Sequence, residues 1–220
     1  MNSSLPILCY VTDGGSLPDG VAVLPRAIQA ALRAGVDWIQ IREKNLPGRQ
    51  LVELTRAAVR ETREAQPGRA RILVNDRLDV ALAAGADGVH LGGSSMPVAE
   101  VTAWLRRERA RLGIAADLLI GRSCHSIEEA RQAEHDGASY VIFGPVFATP
   151  SKAQYGPPQG VKRLADVCRA LRIPVLAIGG VTIENAPECL RAGAAGIAAI
   201  RLFQQNPNLA ETVTRLKQSR

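Results

Sequence analysis

The chain has 220 residues, a net charge of +6 from 27 Lys and Arg against 21 Asp and Glu, and only 4% aromatics. Folding at this length buries roughly 70–75% of the unfolded surface, so the core needs neither disulfide nor metal staples. The basic residues are scattered among acidic ones rather than clustered with stacking aromatics, which argues against a nucleic-acid surface, and no apolar run approaches the ~20 residues of a membrane span.

Short β-rich runs alternate with longer helical runs from the first residues onward. The pattern predicts strands over Ile7–Asp13, Trp38–Glu43, Ile72–Asp76, Gly88–Gly92, Leu118–Ser123, Tyr140–Val146, Val175–Gly180 and Gly196–Phe203. Between them lie helical stretches such as residues 51–65, where Leu51, Leu54, Ala58 and Val59 share a face. Several strands are unbroken apolar runs, VLAIGG and YVIFGPV among them, as expected of a parallel sheet covered on both faces. Four segments, ALRAGVDWIQI, ALAAGADGVHL, AEHDGASYVIF and CLRAGAAGIAAI, repeat one helix–Gly–turn–strand joint. Their glycines, Gly35, Gly85, Gly137 and Gly193, stand where a helix C-terminus wants a left-handed residue. An eightfold alternation built on one joint predicts an α/β (β/α)8 TIM barrel, a single domain over residues 1–220. The competing open doubly wound sheet rarely needs eight strands at this length, and no GxGxxG follows the first strand.

The four cysteines, Cys9, Cys124, Cys168 and Cys189, are far apart and include no C-x-x-C pair, so they read as small core hydrophobes. The N-terminus lacks a basic-then-apolar leader. A cytoplasmic protein with reduced thiols is the expectation.

In such a barrel, chemistry belongs at the C-terminal strand ends, and here those ends are polar. The second strand closes with Gln40, Arg42 and Lys44, alternate residues that point the same way and suit an anion; inner pairing of Arg42 with Glu43 is the plainer alternative. The third ends in Asn75–Asp76, where Asp76 reads as the N-cap of the next helix, as a Mg²⁺ ligand, or as both. His90 in the fourth reads first as a satisfied core histidine. The fifth ends in GRSCHS, placing Ser123 and His125 at the rim; His125 either caps the next helix or shuttles a proton. The long loop FATPSKAQYGPPQG carries Thr149, Ser151 and Lys152 and has the length of a functional lid. Gly179–Gly180 after the seventh strand and Ile200–Arg201 at the eighth form a candidate phosphate site, the location many barrels use for it. Two anion-seeking clusters suggest two phosphate-bearing ligands.

Taken in order, QIREK, VNDRLDVALAAGADGVHLG, GRSCHS, FGPVFATPSK and AIGGVT resemble the thiamine phosphate synthase family and the related thiazole tautomerase group, over nearly the whole chain. The family reaction joins a pyrimidine diphosphate to a thiazole phosphate and releases pyrophosphate with Mg²⁺. The resemblance implies that Gln40, Arg42, Lys44 and Lys152 bind the diphosphate, while Asn75 and Asp76 contact the pyrimidine and Mg²⁺. It places Ser123 beside the pyrimidine, Thr149 and Ser151 at the thiazole, and Gly180 and Ile200 at its phosphate. Ser123, Lys152 and His125 are the catalytic candidates, and the partners are small phosphate and diphosphate substrates, with a homo-oligomer only loosely suggested. Two positions depart from the synthase pattern: Ser95 stands where the family has a second Mg²⁺-binding Asp, and Arg201 where it usually has Ser. The tautomerases also lack that Asp and use a histidine at the place of His125, yet QIREK and ND are intact here. Synthase activity is therefore the expectation, with thiazole tautomerase or a non-catalytic precursor binder as alternatives.

Overall fold

Eight parallel strands close into a barrel in order, β1 to β8, in the computed structural model, which describes residues 5–65, 70–114, 118–149, 157–204 and 206–219. The strands are β1 (Ile7–Val11), β2 (Trp38–Ile41), β3 (Arg71–Asn75), β4 (Gly88–Leu91), β5 (Leu119–Cys124), β6 (Tyr140–Phe143), β7 (Val175–Ile178) and β8 (Gly196–Ala199). The helices are α1 (Leu24–Ala34), α2 (Gly48–Ala65), α3 (Leu78–Ala84), α4 (Val98–Leu112), α5 (Ile127–His135), α6 (Gly160–Ala170), α7 (Ala186–Arg191), α8 (Arg201–Gln204) and α9 (Leu209–Gln218). β1 pairs with both β2 and β8, so no strand edge is left open.

Alternation along the strands divides the core in two. Cys9, Val11, Leu73, Tyr140, Ile142, Leu176 and Ala198 fill the barrel interior with Ile7, Trp38, Leu119, Ile178 and Ile200 around them. The residues between them, such as Leu8, Ile39, Ile72, Val89, Ile120, Val141 and Ile197, face the helices. By the same parity Gln40, Asn75, His90 and Ser123 point inward near the strand ends, which is how a helix-covered barrel delivers polar groups to one mouth.

The repeated joint has a common geometry. Gly35, Gly85, Gly137 and Gly193 all have left-handed φ. After each, the next residue's N–H returns to a carbonyl five residues back: Val36 to Ala31, Ala86 to Ala81, Ala138 to Ala133 and Ala194 to Cys189. This is the double closure of a helix C-terminus that glycine permits. At three of the joints the following side chain then accepts from the preceding strand. Asp37 takes the Leu8 N–H at 2.7 Å, Asp87 the Ile72 N–H at 2.7 Å and Ser139 the Ile120 N–H at 3.0 Å. The sequence repeat is therefore a repeated hydrogen-bond clasp at the N-terminal end of the barrel, opposite the polar mouth.

Four expectations need correction. β8 ends at Ala199, and the chain turns into α8 at Arg201 instead of continuing extended to Phe203. Gln204 explains the turn: its Oε1 accepts from Tyr10 Oη (2.8 Å) and the Asp13 N–H (2.9 Å), and its Nε2 donates to the Asp13 carbonyl and Ser16 Oγ. That clasp holds α8 against the loop after β1 and seals the β8–β1 seam. β6 likewise ends at Phe143, and the rest of its apolar run forms a loop against β7. Asp76 is not a helix cap, because α3 begins after Arg77 and the Asp76 backbone is left-handed, φ 64°. Nor does His125 cap α5; that role falls to Ser126, whose Oγ accepts the Glu129 N–H at 3.1 Å. The cysteines are all free, and Cys9, Cys124 and Cys189 are buried, as core residues should be.

Candidate active site

Gln40, the last but one residue of β2, points into the barrel and is buried, and its Nε2 has no hydrogen-bond partner among the described residues. A buried amide donor without an acceptor is costly, so this atom is aimed at something a ligand would bring. Arg42 has the same parity just beyond the strand, and its N–H donates to Thr12 Oγ at 2.9 Å. Glu43 is not its inner partner. The Glu43 carboxylate accepts from Thr12 Oγ (2.5 Å) and the Gly14 N–H (3.0 Å), and burial pushes its pKa up. Glu43 therefore ties the loop after β1 to the end of β2. Lys44 is exposed in the turn that follows.

Across the barrel, register places Asn75 opposite His90, His90 opposite Gly121, and Gly121 opposite Tyr140. Asn75 Nδ2 donates to Asp76 Oδ2 at 2.9 Å. Asp76 Oδ1 accepts from Ser95 Oγ, and the Gly92 N–H donates to Ser95 Oγ at 2.5 Å. Arg122 Nη1 bonds the Gly92 carbonyl and so braces the turn that carries Ser95. The arrangement brings Asn75, Asp76 and Ser95 together at the mouth, as sequence position alone could not show for residues 19 apart.

His90 is fully buried, with Nδ1 3.1 Å from Tyr140 Oη and Nε2 2.8 Å from Ser123 Oγ. Burial lowers its pKa to about 3; Asp76 opposes that shift, while Arg122 and Arg42 add to it. Gly121 makes the packing possible: a Cβ there would lie 2.1 Å from Tyr140 Cζ and 2.6 Å from His90 Nδ1.

On the other side of the mouth, Gly179 and Gly180 have left-handed φ of 95° and 64°. The loop after β6 crosses them closely. A Cβ on Gly179 would meet Pro145 at 2.5 Å, and one on Gly180 would meet the Ala148 carbonyl at 2.5 Å. The Phe147 N–H donates to the Gly179 carbonyl at 2.9 Å, and Asn185 Nδ2 to the Gly180 carbonyl at 3.0 Å. Arg201, exposed at the start of α8, reaches across with Nη2 3.4 Å from Thr149 Oγ1. No carboxylate pairs with Arg201 among the described residues. Ile200 ends the inward row of β8 beside these glycines. His125 is exposed, with Nδ1 2.5 Å from the Gly144 carbonyl and its N–H held by Glu129 at 2.7 Å. Ser151 and Lys152 lie outside the described residues.

A family model described as thiamine monophosphate synthase matches residues 8–203. The chain belongs to that family. It is 47% identical over 184 residues to a putative thiamine-phosphate synthase of Geobacter sulfurreducens, covering 84% of this chain and 81% of the relative. A thiamine-phosphate synthase of Methanocella arvoryzae is 40% identical over 96% of this chain and 92% of its own length. Among solved structures, the thiamine phosphate pyrophosphorylase from Pyrococcus furiosus superposes with a TM-score of 0.80 at 34% identity, over 97% of this chain and 94% of that one. Within the synthase family's barrel, the residues that motif reading missed are Tyr140 and Arg122. Tyr140 lies in an apolar run and Arg122 stands beside Ser123 in GRSCHS, but the partners that give them a role are 50 and 30 residues away.

Magnesium is the metal such a reaction implies. No trio of His, Cys, Asp or Glu that could hold a metal occurs among the described residues. Mg²⁺, however, keeps most of its waters and is commonly held by one or two carboxylates and the substrate's own phosphate oxygens. Exposed Asp76 with Ser95 Oγ against it is a donor set that fits this mode. No described helix is long and apolar enough to cross a membrane.

Proposed function

We propose that this chain couples hydroxymethylpyrimidine diphosphate to thiazole phosphate, forming thiamine phosphate and releasing pyrophosphate. The observation that carries the reading is that one mouth offers two sides suited to phosphate-bearing ligands: Arg42 and Gln40 at the end of β2, with Asn75 and the cation-seeking Asp76 beside them after β3, and Gly179, Gly180 and Arg201 after β7 and β8. A single phosphate would need only one.

In this reading the bond from the pyrimidine methylene to the diphosphate oxygen breaks, and a bond from that carbon to the thiazole nitrogen forms. Arg42 and Lys44, joined by Lys152, neutralise charge as it gathers on the departing diphosphate, the largest demand of such a transition state. Bound Mg²⁺, held by Asp76 and Ser95, would add Lewis-acid stabilisation of the same oxygens. Gln40, Asn75 and Ser123 orient the pyrimidine over the apolar floor made by Val11 and Ile142. Gly179, Gly180, Ile200 and Arg201, with Thr149 and Ser151, hold the thiazole phosphate so that its nitrogen faces the carbon under attack. No step needs a base at neutral pH, and His125, turned onto the Gly144 carbonyl, is left without a role in the coupling.

Incubation with both precursors, with and without Mg²⁺, tests the reading by assay of thiamine phosphate and pyrophosphate. Equimolar appearance of both products with Mg²⁺ is the expected result. Binding of both precursors with no product would reject it in favour of a non-catalytic binder.

A further inference from the structure

Tyr140 is fully buried in the barrel interior, its ring edge-on to Trp38 at 4.8 Å, and its hydroxyl has one hydrogen-bond partner among the described residues, His90 Nδ1 at 3.1 Å. A buried O–H proton with no acceptor forfeits its whole desolvation, so that proton points at Nδ1. Nδ1 is then the bare nitrogen of a neutral imidazole, and the ring proton sits on Nε2. Nε2 lies 2.8 Å from Ser123 Oγ, so here the imidazole donates and the serine accepts. The serine's own proton is left to point away from His90, and the inward position of Ser123 on β5 turns it to the mouth.

We infer that the Tyr140–His90–Ser123 chain runs in one direction only and commits Ser123 to donate its hydroxyl proton to a substrate acceptor, a ring nitrogen of the pyrimidine. The identity of that acceptor rests on the reaction proposed above; the direction of the chain does not. Burial keeps Tyr140 from ionising, since it drives that pKa well above its usual value. Gly121 leaves the space in which the tyrosine and histidine meet. Gln40 Nε2 is a second donor in the same interior without a partner among the described residues. A mouth presenting two donors suits a ring whose nitrogens are lone-pair acceptors and disfavours one that presents N–H groups there. Tyr140 and His90 are positioning residues, acting through Ser123.

Two measurements decide the matter. In the full chain labelled with ¹⁵N-histidine, which has three histidines, the His90 imidazole is assigned by its loss in His90→Gln. The expected pattern is a protonated Nε2 and a bare Nδ1; a protonated Nδ1 overturns the inference. The second compares binding of hydroxymethylpyrimidine diphosphate with analogues in which each ring nitrogen in turn is replaced by C–H. The unaltered chain should bind one analogue about 5- to 10-fold more weakly than the parent, the scale of one hydrogen bond. Tyr140→Phe keeps the ring against Trp38 but frees the imidazole to turn its proton around, and should shrink that preference to under about twofold. Undiminished preference in Tyr140→Phe overturns the inference, whereas a merely structural role for Tyr140 would weaken all ligands alike. Both readouts are independent of turnover. A chain that forms no thiamine phosphate would sink the proposed reaction and still report the direction of the chain.

Discussion

Arg201 Nη2 lies 3.4 Å from Thr149 Oγ1, bridging the start of α8 and the loop after β6 across the glycines that end β7. The guanidinium thus lies over the mouth instead of pairing outward with a helix carboxylate. Its planar fork of donors suits a phosphate better than the single hydroxyl usual at this place. Charge-assisted bonds contribute about 1.5–3 kcal/mol, so Arg201→Ala should weaken thiazole phosphate binding roughly 10- to 150-fold. Titration calorimetry with thiazole phosphate measures it, and a change under about threefold would mean that backbone groups bind the phosphate unaided.

Ser95 donates to the Asp76 carboxylate, so the two occupy one side of the same small space. A hydroxyl is a weaker Mg²⁺ ligand than a carboxylate, so in the proposed reaction a cation there would lean on Asp76 and the substrate's oxygens. Ser95→Asp sets a second carboxylate against the first, which repels without a cation and binds with one. The Mg²⁺ concentration for half-maximal synthesis should fall by roughly tenfold, the scale on which near ligands alter metal affinity. An unchanged or higher requirement would remove Ser95 from the metal.

The barrel was legible in the sequence because its cause is local and repeated. Each of Gly35, Gly85, Gly137 and Gly193 needs a left-handed residue after a helix, and the strand follows at a fixed distance. The polar strand ends were legible for a related reason, since Gln40, Arg42 and Asn75 are polar where parity points them inward. What stayed hidden depends on partners far along the chain. His90 reads correctly as a satisfied core histidine, yet its bond to Tyr140 exists only because Gly121 is bare between them. The end of β8 was misplaced because Gln204, which pins α8, finds its acceptors and donors 188 to 194 residues away.

His125 tests the tautomerase alternative. Its Nδ1 is engaged by the Gly144 carbonyl, and the amide of an asparagine can make the same donation while Nε2 is lost. His125→Asn should therefore leave the fold intact and thiamine phosphate synthesis within about threefold of the unaltered chain. A loss of roughly 10²–10⁴-fold, the usual worth of a general acid or base, would instead give His125 a proton-transfer role.

His90 carries a signature in the pH dependence of stability. Its pKa falls from the ordinary 6.5 to about 3 on folding, because burial disfavours the imidazolium. Above pH 6.5 both folded and unfolded chains hold it neutral, and the full stability is present. As pH falls below 6.5 the unfolded chain takes up a proton that the folded chain refuses until about pH 3. Stability must therefore decline through that window, approaching about 1.4 kcal/mol per pH unit for this one group. Glu43 acts with the opposite sign just above its usual pKa, since its folded value is raised, but it is present in both proteins and cancels in a difference. Urea unfolding of the unaltered chain and of His90→Gln between pH 4.5 and 7.5 isolates the histidine. The gap between the two curves should be constant above pH 7 and shift steadily against the unaltered chain below 6.5. A gap independent of pH would show that His90 gains its proton as readily folded as unfolded, which its place between Tyr140 and Ser123 forbids.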